Sequence, residues 1–328
     1  MSEIRGHDSA IALWDSALQG GRMHHAWLLC GRRGIGKASL ARDFIGHLLD
    51  IPGGEDAAFA HPDLLVLERE WDDKRKRHKS FISVENVRRV SDFFSKSAAR
   101  DGWRACIIDS ADEMNLNAAN ALLKILEEPP RQSLFLLVSH QPERLLPTLL
   151  SRCRRLRLSP LGRDEMLGLL RQNYPDLTAE QHETLLLLSE GSPGRAFALV
   201  ENGGLELYAD MMSLFEGLPD RFDMSAAHAF ADRLSALDQE KLYREFMELL
   251  RGFLERFIRA SAGGGAFPAG EARLLEHLAS DCMIDLWIGV WEKIDGWLDG
   301  VERLQMNRKQ TLLLAFAQIE AAAQKREI

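Results

Sequence analysis

The chain has 328 residues, 46% of them apolar and 27% charged, which suits two or three domains with real cores and excludes a disordered chain. Its 41 basic and 49 acidic residues leave a net charge of −8, so bulk attraction to nucleic acid or an anionic membrane is excluded and any such contact must be local. Cys30, Cys106, Cys153 and Cys282 stand alone in or beside apolar runs, without the spacing of a zinc site or a disulfide framework. The N-terminal stretch carries charges throughout, and no run approaches the roughly 18 apolar residues of a membrane span, so a cytoplasmic protein without a membrane partner is expected.

From residue 1 to about 160, short apolar runs alternate with helical stretches. Residues 25–31 (HAWLLCG) read as a buried strand and 37–49 as a helix, while DLLVLE, RACIID and SLFLLVS read as further buried strands. That alternation predicts a parallel α/β sheet. Residues 83–98 place Val84, Val87, Val90 and Phe94 at helical spacing. Residues 117–130 place Ala119, Leu122, Leu123 and Leu126 on one face, before Pro129 and Pro130 stop the helix. Residues 71–80 (WDDKRKRHKS) read as a solvated loop or hairpin tip, and a nucleic-acid contact there is the weaker reading for want of aromatic interleaving.

Beyond residue 160 the strands stop. Residues 163–173, 178–189 and 194–201 read as three short helices, broken at Tyr174-Pro175-Asp176 and at Gly191-Ser192-Pro193-Gly194. From Leu205 the chain is again helical, interrupted at 263–268. Its long segments rich in Leu, Phe, Trp and Met predict a bundle or an oligomer-forming collar, with Trp287, Trp291 and Trp297 as surplus apolar surface.

Within the first part, Gly31, Gly34, Gly36 and Lys37 follow a strand and open a helix. A Gly-rich turn at a helix N-terminus aims backbone N–H groups and a positive dipole end at an anion, and the lysine adds a mobile charge. A working phosphate loop continues with Ser or Thr, whose hydroxyl binds Mg²⁺. Here Ala38 has no hydroxyl, and Ser39 is turned about 100° further round the helix. A dinucleotide fingerprint fails at its third glycine, where Ser39 stands, and a tight turn that never meets a phosphate remains an alternative. The run 104–109 (RACIID) brings Asp109 to the carboxyl edge of the sheet, where a magnesium-binding acid belongs, but Ser110 follows where oligomeric ATPases place a catalytic Glu. Asp112 and Glu113 lie further along, in a turn.

Several segments, in order and at their spacings, resemble the delta-prime subunits of the bacterial DNA polymerase III clamp loader: HHAWLLCGRRGIGK, HPDLLVLE, ISVENVRRV, NAANALLKILEEPP, QPERLLPTLLSRCRRLRL and GSPGRAFAL. The resemblance covers most of residues 1–200 and is weaker from Gly203 onward, where helical composition and Asn307-Arg308-Lys309-Gln310 support it. It implies an AAA+ P-loop α/β domain with a parallel sheet (1–160), a small helical lid domain (161–203) and an all-α collar that holds a ring together (204–328). It also implies a stator that does not hydrolyse ATP, partnered by gamma/tau and delta subunits and, through the complex, by the sliding clamp and primed DNA.

In that family the Ser-Arg-Cys motif, here Ser151-Arg152-Cys153, supplies an arginine finger to ATP bound on the neighbouring subunit. Read alone, Arg152 is one charge of a solvated run with Arg154, Arg155 and Arg157. Ser139 or His140 stands where ATP-hydrolysing relatives read the γ-phosphate, and Gly194 stands at their sensor arginine, with Arg195 one step later. The degenerate nucleotide site then comprises Gly31, Gly34, Gly36, Lys37, Ser39, Asp109 and Ser139, requiring no cofactor and holding ATP or ADP weakly at most. Residues 45–61 lack the cysteines of the zinc module found in many relatives, so no zinc is expected. The competing reading is an active AAA+ ATPase, either a motor subunit of the same machine or a helicase loader; a P-loop kinase would need an acceptor-binding lid that the helical C-terminal half does not offer.

Overall fold

The computed structural model describes residues 6–51, 61–73, 77–96, 102–236, 238–279, 284–304 and 307–325. It divides into two compact units, residues 1–166 with 191–194 and residues 167–190 with 195–328. The stretch 52–60, which bears on the zinc expectation, and Cys282 lie outside the described residues.

In the first unit, strands β1 (Ala26–Cys30), β2 (Leu64–Leu67), β5 (Arg104–Ile108), β6 (Ser133–Ser139) and β7 (Arg154–Arg157) form one sheet in the order β2-β5-β6-β1-β7, all parallel. Strands β3 (Trp71–Asp72) and β4 (Arg77–His78) form a separate antiparallel hairpin. The central strands β1, β5 and β6 are buried at every position, as expected for continuous apolar runs covered on both faces.

Alternate residues choose the cover. Trp27, Leu29, Leu134, Leu136 and Val138 meet Trp14 of α1 (Asp8–Gln19) and Leu40, Phe44 and Ile45 of α2 (Lys37–Leu48). Trp14 stacks flat on Phe44 with centroids 4.2 Å apart. Leu28, Cys30, Cys106, Ile108, Phe135 and Leu137 meet Val87 and Val90 of α3 (Val84–Ser95) and Leu122 and Leu126 of α4 (Leu116–Glu127). Ser83 and Asn86 close a reciprocal capping box on α3, and Asn115 caps α4 through the Ala118 N–H. Parallel pairing in this order sets the ends of β1, β5 and β6 side by side, and with them Gly31, Asp109 and Ser139.

Strand β7 leaves Arg155 and Arg157 exposed, as a solvated run would, and departs from that reading at Arg154 and Leu156. At the sheet edge an RRLR segment needs only one inward side chain, and Leu156 is that residue, 2% exposed. Arg154 lies over the Trp27 ring, 4.7 Å from its centroid, so it is part of the packing.

The second unit is helical: α6 (Arg163–Asn173), α7 (Ala179–Ser189), α8 (Pro193–Glu201), α9 (Gly204–Phe215), α10 (Met224–Ser235), α11 (Glu240–Ser261), α12 (Ala269–Ala279), α13 (Ile284–Leu304) and α14 (Arg308–Ala323), of which α6 and α8 begin just outside its limits. Short α5 (Pro147–Leu150) belongs to the first unit. Phe215, Phe253, Phe230, Phe246 and Phe316 form an aromatic core with neighbouring centroids 4.8 to 6.3 Å apart. Buried Arg256 meets both carboxylate oxygens of Glu271, a pair in which removing either member strands the other charge. Trp287 is not surplus surface. It is 2% exposed and packs on Phe257 at 4.3 Å, because the face of α13 that carries it turns toward α11. Trp291 is half-buried and donates to Glu255 (3.3 Å).

Candidate functional site: a phosphate loop and an arginine turn

The loop between β1 and α2 takes backbone angles that glycine favours. Gly31, Gly34 and Gly36 have φ of 154°, 79° and 94°. A Cβ on Gly31 would lie 2.5 Å from Ile35 Cδ1 and 2.6 Å from the Leu158 carbonyl oxygen. Gly36 is the N-cap of α2 and offers no side-chain cap.

Lys37 is 3% exposed and turns back on the loop. Its Nζ donates to the carbonyl oxygens of Gly31 (2.7 Å) and Arg32 (2.6 Å). Burial pulls its pKa down to about 8, against the opposing pull of Asp112 and then Asp109. The next three carbonyls are taken as well. Ser192 Oγ donates to Arg33 O (3.0 Å), the Gly194 N–H to Gly34 O (2.8 Å) and His7 Nε2 to Ile35 O (2.8 Å). Five successive carbonyls of the loop are thus satisfied by this chain itself.

Gly194 explains its own identity. A Cβ there would stand 2.9 Å from both Cα and O of Gly34, so an arginine at this position requires the two segments to separate. Arg195 does not substitute for it, since it pairs with the buried Glu245 at 2.7 Å. Beside the loop, a cavity of about 270 Å³ is lined by His7, Asp8, Arg157, Pro160 and Glu165 among others.

At the ends of β5 and β6 the polar groups form a small cluster. Asp109 is half-buried, and its N–H is held by Leu67 O (2.8 Å). Ser110 is in the left-handed region (φ 59°), and its Oγ lies 3.3 Å from His140 Nε2. The His140 N–H donates to Asp112 Oδ1 (2.8 Å), and burial, reinforced by Lys37, lowers the pKa of its ring. Glu113 turns away to Arg69 (2.7 Å). Ser139 is fully buried, and its Oγ has no hydrogen-bond partner among the described residues. Ser39 sits half-buried on α2.

Sequence reasoning missed three contributors here. His7 lies 28 residues and Ser192 159 residues from their loop partners, and spacing carries no signal of such pairs. Asp112 was assigned to a turn, yet it is the charge that most opposes the depression of the Lys37 pKa.

Arg152 stands apart from this cluster, in the turn between α5 and β7. Its guanidinium donates to Glu127 Oε1 (2.7 Å) at the end of α4 and to Thr148 O (2.9 Å), and its side chain remains 33% exposed. Two contacts aim the group without burying it, and a guanidinium so presented can form bidentate bonds to an incoming phosphate.

A parallel sheet in this order, with a glycine loop opening a helix and an acid ending the strand next but one, defines the P-loop α/β domain of an AAA+ protein, here followed by helices. The sequence model of the family described as "DNA polymerase III, delta subunit" matches residues 6–162. The DNA polymerase III subunit delta' of Pseudomonas aeruginosa is 37% identical over 257 residues, 74% of this chain and 75% of that protein. The delta' subunit of Escherichia coli is 34% identical over 200 residues, 57% of each chain, and a gamma subunit of Buchnera aphidicola is 25% identical over 94% of this chain and 85% of its own. The chain belongs to the delta-prime subunit family of DNA polymerase III. No helix among the described residues is long and apolar enough to cross a membrane.

Proposed function

We propose that this chain works as the stator of a clamp loader: it does not hydrolyse ATP, and it completes the ATP site of a neighbouring subunit with Arg152. The observation that carries the reading is the contrast between its two sites. The phosphate loop has Ala38 where a magnesium ligand belongs, Ser110 where a catalytic carboxylate belongs, and Lys37 committed to loop carbonyls. Phosphoryl transfer depends on positioned charge, so a site without those groups is at most a weak holder of ATP or ADP.

Arg152 keeps what a trans-acting arginine needs, namely exposure and a fixed approach. On meeting a γ-phosphate it exchanges Glu127 for a more highly charged partner, which favours the exchange. Its neighbours are the gamma, tau and delta subunits, the first two represented among its relatives. Residues 204–328 serve as the collar that joins them, and the assembled ring acts on the sliding clamp and primed DNA. No zinc enters this scheme.

The test is reconstitution. The purified chain alone should turn over no ATP, while a loader rebuilt without it should lose clamp loading. Turnover by the isolated chain at the rate of a ring ATPase would refute the reading.

A further inference from the structure

The histidine pair at residues 24 and 25 has no part in the phosphate loop, yet it stands beside Arg152. Strands β1 and β7 pair with Trp27 level with Arg154, so the residues leading into them, His25 and Arg152, enter the sheet at the same end. His24 stacks on His25 with ring centroids 4.4 Å apart. The backbone of the pair is fastened, since Trp27 Nε1 donates to the His24 carbonyl (3.0 Å) and the Phe135 N–H to the His25 carbonyl (2.8 Å).

The His25 ring meets the last turn of α4, in a hydrogen bond to the Leu126 backbone. Its Nε2 is buried without a partner among the described residues, so Nδ1 is the donor. Burial, and then the neighbouring His24, hold its pKa below the usual histidine value, so the ring is neutral and has one proton to give. The Leu126 carbonyl needs that proton. A helix leaves its last carbonyls without intrahelical donors, and the N–H groups that could continue the ladder to Ile125 and Leu126 belong to positions 129 and 130, both proline. Water does not replace them, because Leu126 is 2% exposed, and an orphaned buried carbonyl is costly. The next residue of that turn is Glu127, which holds the Arg152 guanidinium at 2.7 Å.

We propose that His25 is a positioning residue for Arg152: by holding the Leu126 carbonyl it fixes the final turn of α4, and through Glu127 it sets the direction of the guanidinium. This role rests on the reading of Arg152 as the group that completes a neighbouring ATP site. A trans-acting arginine works by placement as well as charge, and a small displacement of such a group is felt in the chemical step.

Three substitutions separate the donor from the bulk of the ring. His25→Leu removes the donor, His25→Asn keeps an N–H at the reach of Nδ1, and His25→Gln carries it one bond further out, at the reach of Nε2. In the full chain alone, modification of Arg152 by phenylglyoxal, followed by peptide mass spectrometry, should run about fivefold faster in His25→Leu and His25→Gln, the scale of one hydrogen bond lost. His25→Asn should stay near the wild-type rate. In the rebuilt loader, His25→Leu and His25→Gln should lower kcat for DNA-stimulated ATP turnover at the site Arg152 faces about tenfold, with KM for ATP within about twofold of wild type. His25→Asn should keep most of the turnover. Adding His25→Leu to Arg152→Ala should have no further effect. Equal phenylglyoxal rates in all four proteins would overturn the inference, as would His25→Gln matching His25→Asn, or His25→Leu lowering turnover as much without Arg152 as with it. If Arg152→Ala itself leaves turnover intact, the reading of Arg152 falls and this role with it. If Arg152→Ala cuts turnover while His25→Leu and His25→Gln do not, the role of His25 alone falls.

Discussion

The phosphate loop and the arginine turn lie in one domain and are built on opposite terms. Around the loop, five carbonyls are closed by Lys37, Ser192, Gly194 and His7, and the lysine that would meet a phosphate is buried among them. Around Arg152 there are two contacts and a third of the side chain in solvent. The difference is one of commitment: the loop's polar groups are taken up by internal bonds, whereas the Arg152 guanidinium is aimed by two contacts and still open to an incoming group, which is the contrast the proposed stator role needs.

The largest expected effect breaks the open side of that comparison. Arg152→Ala should leave the fold and assembly unchanged, yet cut ATP turnover at the one site it faces by about 10³-fold, the usual scale for a lost arginine finger. DNA-stimulated turnover of the rebuilt loader measures this. Arg157→Ala should do little, and Arg154→Ala should act on stability, because Arg154 packs on Trp27. Equal small losses of turnover from all three would return Arg152 to an ordinary surface charge.

Next is Gly194→Arg, which places at this position the arginine that the family resemblance would lead one to expect there. Its Cβ would start 2.9 Å from the Gly34 backbone, so the loop and the 191–194 segment must part, at a cost of about 1–3 kcal/mol. A fall in the urea midpoint reports it. An unchanged midpoint would mean that the loop is not frozen.

Much of this was legible in the chain beforehand, and what was not had physical reasons. Continuous apolar runs announced β1, β5 and β6, and Pro129 with Pro130 announced the end of α4, because those signals are local. β7 was illegible because an edge strand with one buried residue, Leu156, has almost no apolar signature. Gly194 could be singled out in the chain, but the steric reason that the structure gives for a glycine there lies in Gly34, 160 residues away. Trp287 counted as interface on composition and proved to be core, since helical spacing does not say which neighbour a face meets.

Lys37 sharpens the closed side. Its pKa of about 8 lies below that of an unfolded lysine, near 10.4, so between these values the unfolded chain holds the extra proton. Stability therefore rises with pH through that window, by up to about 1.4 kcal/mol per unit, as the buried charge is relieved. Lys37→Met lacks this rise and leaves two carbonyls unpaired, so its stability relative to wild type should fall as pH increases from 7.5 to 10. Urea midpoints at pH 7.5, 9 and 10 compare the two proteins, and parallel pH profiles would show that the lysine is not held as described.

The smallest effect is expected from Glu127→Gln. The Arg152–Glu127 pair is short, but both side chains are substantially exposed, and such a pair contributes only about 0.2–1 kcal/mol. The amide can still accept a hydrogen bond, so the arginine keeps its aim while losing the carboxylate that competes with phosphate. Unfolding free energy should fall by less than about 0.5 kcal/mol, and turnover of the rebuilt loader should stay within about threefold of wild type. A loss as large as that of Gly194→Arg would mean that the arginine turn is as rigidly locked as the loop, and the two sites would then differ in chemistry alone.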